Sequence, residues 1–311
     1  MAATVEVPII EAAPQDAHDD TNTVVERTVV EWRKLPHVHS DTVGEGVGVG
    51  VLDTEVDNHP WFAGQVHGGK GVGKVDGLLA ANYKAGHATF VAGLVLQQAP
   101  AARVIVRGVL DPAGHAPTEV VIDEALELVR RKKHNGEHEI DILNLSLGCY
   151  GSDEQMWQFQ LLFKEIWEEN PELIVVAAAG NKRDGELRPF YPAALADHAR
   201  LVSVGAATDA AGTEWASFSN QGPDVTFRVD GTDLVSTFLR FTTGSRNPDG
   251  RWARWAGTSF STAIVSGMIA ARIAPAGGSG RKSGRQAVAG LSGGAPRPVS
   301  LPVRPFPPEP R

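Results

Sequence analysis

Between residues 46 and 206 the sequence repeats one alternation: a short Val/Ile/Leu/Ala run, a turn, then a longer stretch with helical spacing. The apolar runs are residues 46–52 (GVGVGVL), 103–110, 141–147 (DILNLSL), 173–179 and 201–206. Each is short and mostly apolar, and 46–52 and 173–179 read as strands buried in a parallel sheet. Helices are expected from His87 to Gln97, over 118–133 and over 153–169. The second has an apolar face of Val121, Ile122, Ala125, Leu128 and Val129. The third is capped by Ser152 or Asp153 and turns Trp157 and Trp167 inward. Shorter strands are expected near Ser217 and over 225–229, 234–237 and 252–255, before a last apolar helix that begins near Ser259. Such an alternation makes an α/β fold of three layers, a mostly parallel central sheet flanked by helices on both faces.

That body spans residues 46–274. Residues 1–45 hold nine Asp or Glu against three Lys or Arg, and they are too few to make a core of their own. They read as an acidic N-terminal extension, packed on the body or acting as a short inhibitory leader, with one helix or strand near 23–32. Residues 275–311 hold eight Pro and seven Gly, with six basic residues against one acidic, and read as a disordered basic tail. The net charge of −8 comes with no basic stripe, so no nucleic-acid partner is expected. No window approaches the ~20 apolar residues of a membrane span, so no membrane partner is expected either. The first 30 residues lack the pattern of a signal peptide, and Cys149 is the sole cysteine. These features suggest a cytoplasmic monomer, with non-classical export left open.

Four residues sit where the alternation places functional groups. Asp53 ends the strand 46–52, at the carboxyl edge where open α/β sheets carry their sites. His87 falls in the first turn of its helix. Ser259, in Gly257-Thr258-Ser259-Phe260-Ser261-Thr262-Ala263, starts a buried helix among unpaired backbone N–H groups. Asn181 follows Ala178-Ala179-Gly180 at another strand end. A serine hydroxyl needs an imidazole to take its proton, and the imidazole needs a carboxylate to fix its tautomer. An amide at Asn181 can donate to an oxyanion. Taken singly, each residue also reads as an ordinary cap, turn or structural histidine. The glycines of 46–52 lie within their strand rather than after it, which argues against a dinucleotide site. His37 and His39 read as solvated loop residues, and Cys149 as a small packing residue.

The segments VLDTEVD, GHATFVAG, NLSLG, AAAGN, YPA followed by VSVGA, SFSNQGP and GTSFSTA come in the order seen in the subtilisin-like serine peptidases, the subtilase family, which the chain resembles over 47–270. The resemblance implies a serine endopeptidase that works through an acyl-enzyme and needs no cofactor. It makes Asp53, His87 and Ser259 the triad, and makes Asn181 the oxyanion donor together with the Ser259 N–H. It assigns Ser146-Leu147-Gly148 to the edge that pairs with an extended peptide. Ala178-Ala179-Gly180 becomes one wall of the pocket for the residue before the scissile bond, and Phe190 lines its base. A phenyl ring there makes the pocket shallower than a glycine would. The helix after His87 runs straight on where many relatives insert a calcium loop, so that calcium site is expected to be missing.

Four positions depart from the family pattern. Ala88 and Glu55 replace glycines, Ala263-Ile264 replaces Pro-His, and Val229-Asp230-Gly231 replaces Ala-Pro-Gly. Glu55 is expected to project into water. These departures motivate a rival reading, a catalytically silent homologue that binds extended peptides.

Overall fold

A computed structural model of the chain describes residues 4–6, 15–16, 42–68, 83–181, 188–239, 252–275, 280–292 and 299–300. The strands are β1 (Thr4–Glu6), β2 (Gln15–Asp16), β3 (Gly48–Asp53), β4 (Val66–Gly68), β5 (Arg103–Gly108), β6 (His115–Pro117), β7 (Ile142–Leu145) and β8 (Cys149–Tyr150). They continue with β9 (Ile174–Ala178), β10 (Phe190–Tyr191), β11 (Leu201–Ala207), β12 (Phe227–Asp230), β13 (Leu234–Thr237), β14 (Trp252–Trp255) and β15 (Val299–Ser300). The helices are α1 (His87–Gln98), α2 (Thr118–Arg130), α3 (Asp153–Glu169), α4 (Thr258–Ile273) and α5 (Gly284–Ser292).

The main sheet is parallel throughout, in the order β15-β12-β11-β9-β7-β3-β5-β4. From β3 the chain builds outward through β5 on one side and through β7 on the other. The strand order therefore reverses at β3, and a crevice opens beyond its carboxyl end, where Asp53 sits. Alternate residues of the strands feed two cores. Val49, Val51, Val104, Val106 and Val176 pack with Phe90 of α1 and Phe260 of α4. Leu52, Ile105, Leu143, Leu145 and Val175 face Leu128 of α2 and Phe159 of α3. These two cores make the three layers expected from the alternation.

The strand glycines have a packing reason. A Cβ on Gly50 would lie 2.8 Å from Leu128 Cδ2 and 3.0 Å from Ile140 Cδ1, so α2 approaches β3 only because that side chain is missing.

Four expectations change. The piece near Ser217 is no strand; the chain there touches the sheet through one bridge, Ala207 to Trp215. Trp157 points outward and is 61% exposed, while Trp167 turns in and donates to the Leu173 carbonyl at 3.1 Å. The buried stripe decides this face: Phe159, Leu162, Phe163 and Ile166 turn inward, and Trp157, two residues before Phe159, falls about 200° away from it. The glycine-rich residues 58–85, for which the sequence predicts loop and no strand, supply β4, paired with β5. Finally, α5 forms within the stretch read as tail, burying Ala287 and Val288 against α4. Two apolar residues one position apart suffice there because α4 already offers an apolar surface. The acidic extension contributes β1, paired antiparallel with β6, and β2, paired with β14. Residues 23–32, His37 and His39 lie outside the described residues.

Candidate active site

The last residue of β3, Asp53, is fully buried. Its carbonyl accepts from the N–H groups of Val109 and Leu110 at 2.8 and 3.0 Å, which ties the strand end to the chain leaving β5. Its carboxylate accepts the Thr54 N–H at 2.7 Å. His87 is the first residue of α1, and its Nδ1 lies 2.8 Å from both Asp53 oxygens. An ionised carboxylate only accepts, so Nδ1 carries the proton and Nε2 presents its lone pair. That Nε2 is buried without a hydrogen-bond partner. The ring is wedged by Trp255 at 5.7 Å and by Phe260, the neighbour of Ser259, at 5.3 Å. Ala88, which follows His87, is buried in α1, and its N–H donates to Thr54 Oγ1 at 3.2 Å.

Ser259 is the second residue of α4, so its N–H is one of those the helix cannot satisfy. The turn before it needs glycine, since Gly257 has φ 157°. The Ser259 hydroxyl donates to the Ser146 carbonyl at 3.0 Å, and the Ser146 hydroxyl donates to the Ser259 carbonyl at 2.8 Å. The structure thus joins Asp53 to His87 directly, but Ser259 Oγ bonds to Ser146 rather than to His87.

Asn181 reaches the same helix start. Its Oδ1 accepts from the Thr258 N–H at 3.0 Å and from Thr258 Oγ1 at 2.8 Å. Thr258 Oγ1 in turn accepts the Gly180 N–H at 3.2 Å. With Oδ1 committed, the Asn181 Nδ2 faces the Gly257 turn, 3.4 Å from where a Cβ would stand.

Three residues of this site escaped sequence reasoning. Thr258 clamps Asn181. Asn144 donates to Ser146 Oγ at 2.9 Å, and Ser266 donates to Asn144 Oδ1 at 2.9 Å, making a buried polar chain behind Ser259. The signals were present: Asn144 and Ser146 lie two apart on one strand face, and Ser266 interrupts an apolar helix.

The residues expected to form the walls lie at strand ends. Ser146, Leu147 and Gly148 connect β7 to β8, while Ala178 ends β9 before Ala179 and Gly180. Phe190, on β10, packs beside β8 and is 4% exposed. At the far rim, β1 lies antiparallel to β6, with Thr4 opposite Pro117 and Glu6 opposite His115. Val5 is buried in the cluster that holds Ala116 and Leu147. Cys149 is buried in that same cluster.

The Val229-Asp230-Gly231 turn braces the start of α4. Ser261 Oγ donates to the carbonyls of Val229 and Asp230 at 3.2 and 3.1 Å, and the Gly257 N–H donates to the Gly231 carbonyl at 2.8 Å. Ala263 and Ile264 are core residues. Glu55 does not project into water. Its carboxyl folds back against Gly108, where a side chain on that residue would collide with it, and its Oε2 is buried without a partner. Burial pushes the Glu55 carboxyl above the ordinary carboxylate range. Among the described residues, no three His, Cys, Asp or Glu side chains gather as a metal would need, and no helix is long and apolar enough to cross a membrane.

The chain is similar to known proteins in sequence and in fold. The chain is 29% identical over 255 residues to an intracellular serine protease of Paenibacillus polymyxa, covering 78% of this chain and 71% of that one. It is 28% identical over 257 residues to the major intracellular serine protease of Bacillus subtilis (strain 168), covering 76% and 72%. In fold it is similar to a lanthipeptide protease, with TM-score 0.66 at 20% identity over 94% of both chains. It is also similar to a cold-adapted subtilisin-like serine proteinase, with TM-score 0.59 at 24% identity over 84% and 86%. The sequence model of the subtilase family matches residues 44–280, and the chain belongs to that family of serine peptidases.

Proposed function

We propose that the chain is a serine endopeptidase that cuts extended peptides through an acyl-enzyme, with Ser259, His87 and Asp53 as its triad. The observation that carries this reading is the buried Asp53–His87 bond, which leaves an unpartnered Nε2 beside the start of α4. A turn about the Ser259 Cα–Cβ bond exchanges the Ser146 carbonyl for that Nε2. The hydroxyl proton then passes to His87 as Oγ attacks the peptide carbonyl. Asp53 stabilises the imidazolium and holds its orientation. The oxyanion is received by the Ser259 N–H and the Asn181 amide, at the positive end of α4. His87 returns its proton to the leaving amine, and water releases the acyl group by the same route.

The substrate backbone lies along Ser146-Leu147-Gly148, and β1 on β6 supports a cleft rim suited to an antiparallel strand. In this reading the extension acts as a short leader over that rim. The peptidase works as a cytoplasmic monomer and needs no cofactor for the chemistry. The test is turnover of a mixed library of unstructured peptides, read by mass spectrometry. Internal cleavage by the wild type, lost in His87→Ala, is expected; an intact library from folded enzyme contradicts the reading.

A further inference from the structure

We infer that Phe190 closes the pocket for the residue before the scissile bond, making this a peptidase that cuts after small side chains: Gly, Ala or Ser. The inference rests on the peptidase reading above, which makes Ser146–Gly148 and Ala178–Gly180 the two walls of that pocket.

The ring bridges the walls. A Cβ on Gly148 would lie 2.5 Å from Phe190 Cε1 and 2.7 Å from Cζ, and a Cβ on Gly180 would lie 2.9 Å from Phe190 Cγ. The phenyl group is therefore in contact with backbone on both sides, in the space between the walls that a substrate side chain would enter. It is not free to swing away. Its strand pairs with β8, with Phe190 opposite Tyr150, and the two rings lie 4.8 Å apart. Tyr150 is itself fixed, because Asn220 Nδ2 donates to its hydroxyl at 2.9 Å and to the Ala179 carbonyl at 2.8 Å. One hydrogen-bonded bracket thus spans the second wall and the ring that backs the plug.

Beyond the plug there is room. A cavity of about 500 Å³ is lined by Phe190 together with Ala179, Ser203, Asn220 and Val225. Phe190 borders this cavity, as does Ala179 of the second wall, and its ring fills the space between Gly148 and Gly180. A Leu or Phe side chain on the substrate would have to expel a packed ring to reach that volume. A methyl or hydroxymethyl group needs only the mouth of the pocket.

The test uses full-length enzyme and a peptide series that varies only the residue before one scissile bond, with Gly, Ala, Ser, Leu and Phe. Fluorophosphonate labelling is run in parallel. Wild type is expected to favour Ala over Phe by at least about 100-fold in kcat/KM, the scale on which a filled pocket discriminates. In Phe190→Gly the ratio is expected to fall by at least about 50-fold, with peptides bearing Phe gaining in absolute rate as the cavity joins the pocket. Wild type that is labelled yet cuts after Leu or Phe as well as after Ala overturns this inference and leaves the peptidase reading intact. Wild type that is neither labelled nor active overturns both. The wild-type profile decides the matter even if Phe190→Gly does not fold.

Discussion

Asp53 and His87 meet through a direct bond of 2.8 Å between their own side chains, whereas Ser259 and Asn181 are each held by intermediaries. In the proposed mechanism the polar contact of the base half needs two positions, the end of β3 and the first residue of α1, with Trp255 and Phe260 wedging the ring. The nucleophile half needs a glycine turn, Thr258 to clamp the amide, and the chain Ser266–Asn144–Ser146 to fix the Ser259 carbonyl. The difference follows from chemistry. An imidazole works through one side-chain atom, so one partner orients it. An oxyanion site is made partly of backbone, so the start of a helix must be positioned and the supports have to grip main-chain atoms.

Substitutions test this contrast, and the largest effects belong to the reacting atoms. Ser259→Ala and His87→Ala are each expected to lower kcat by about 10⁶-fold, the scale set by subtilisin within the same family, measured on one good peptide. Asp53→Ala should lose less, about 10⁴-fold, because His87 stays wedged between Trp255 and Phe260.

Next comes the amide. Asn181→Ala is expected to lower kcat by about 10²–10³-fold, again on subtilisin's scale, with KM little changed, since the oxyanion exists only in the transition state. If KM rises instead, Asn181 binds ground-state substrate and the assigned role is wrong.

The intermediaries should show a smaller, mixed effect. Ser146→Ala strands the Asn144 amide and removes the brace on the Ser259 carbonyl, and is expected to cost about 1–3 kcal/mol of stability in urea melts together with part of kcat. Thr258→Val removes one of the two bonds that hold Asn181 Oδ1 and leaves the backbone one, and should lower kcat mainly. Equal, purely structural losses from both would break the contrast.

Glu55 gives the smallest expected effect. Its carboxyl is raised by burial, so the neutral form is the one the fold favours. Any stability gained is full below the ordinary carboxylate pKa and is lost as pH rises through the raised value. Glu55→Gln should therefore raise Tm at pH 7 by up to about 2 °C, and the gap should close below about pH 4. A gap that widens in acid would mean that Glu55 is stabilised as a carboxylate.

The base half was legible in the sequence because its logic is local. An Asp that ends a Val/Gly strand and a His that opens an apolar helix are visible as residue types in context. Ser259, opening an apolar helix, and Asn181, ending a strand, were visible in the same way. Their supports were less so: Thr258 and Ser266 act through contacts across 77 and 122 residues of chain, which spacing does not give, and only the Asn144–Ser146 pair is local. Trp157 shows the same limit in the fold. Its apolar character suggested burial, yet the stripe Phe159, Leu162, Phe163 and Ile166 takes the inner face of α3 and leaves Trp157 outside. Helix α5 was hidden by the surrounding Pro and Gly, because its burial depends on a surface that α4 provides. Glu55 folds back because Gly108, over fifty residues away, leaves it space.

The central claim is that His87, oriented by Asp53, activates Ser259. Its most direct test is the rate of fluorophosphonate labelling by intact mass on wild type, Ser259→Ala and His87→Ala, each shown to be folded. One adduct on wild type, none on Ser259→Ala, and labelling slowed by at least about 10³-fold in His87→Ala is the expected result. A folded wild type that takes no label, or labelling that is unchanged without His87, would contradict it.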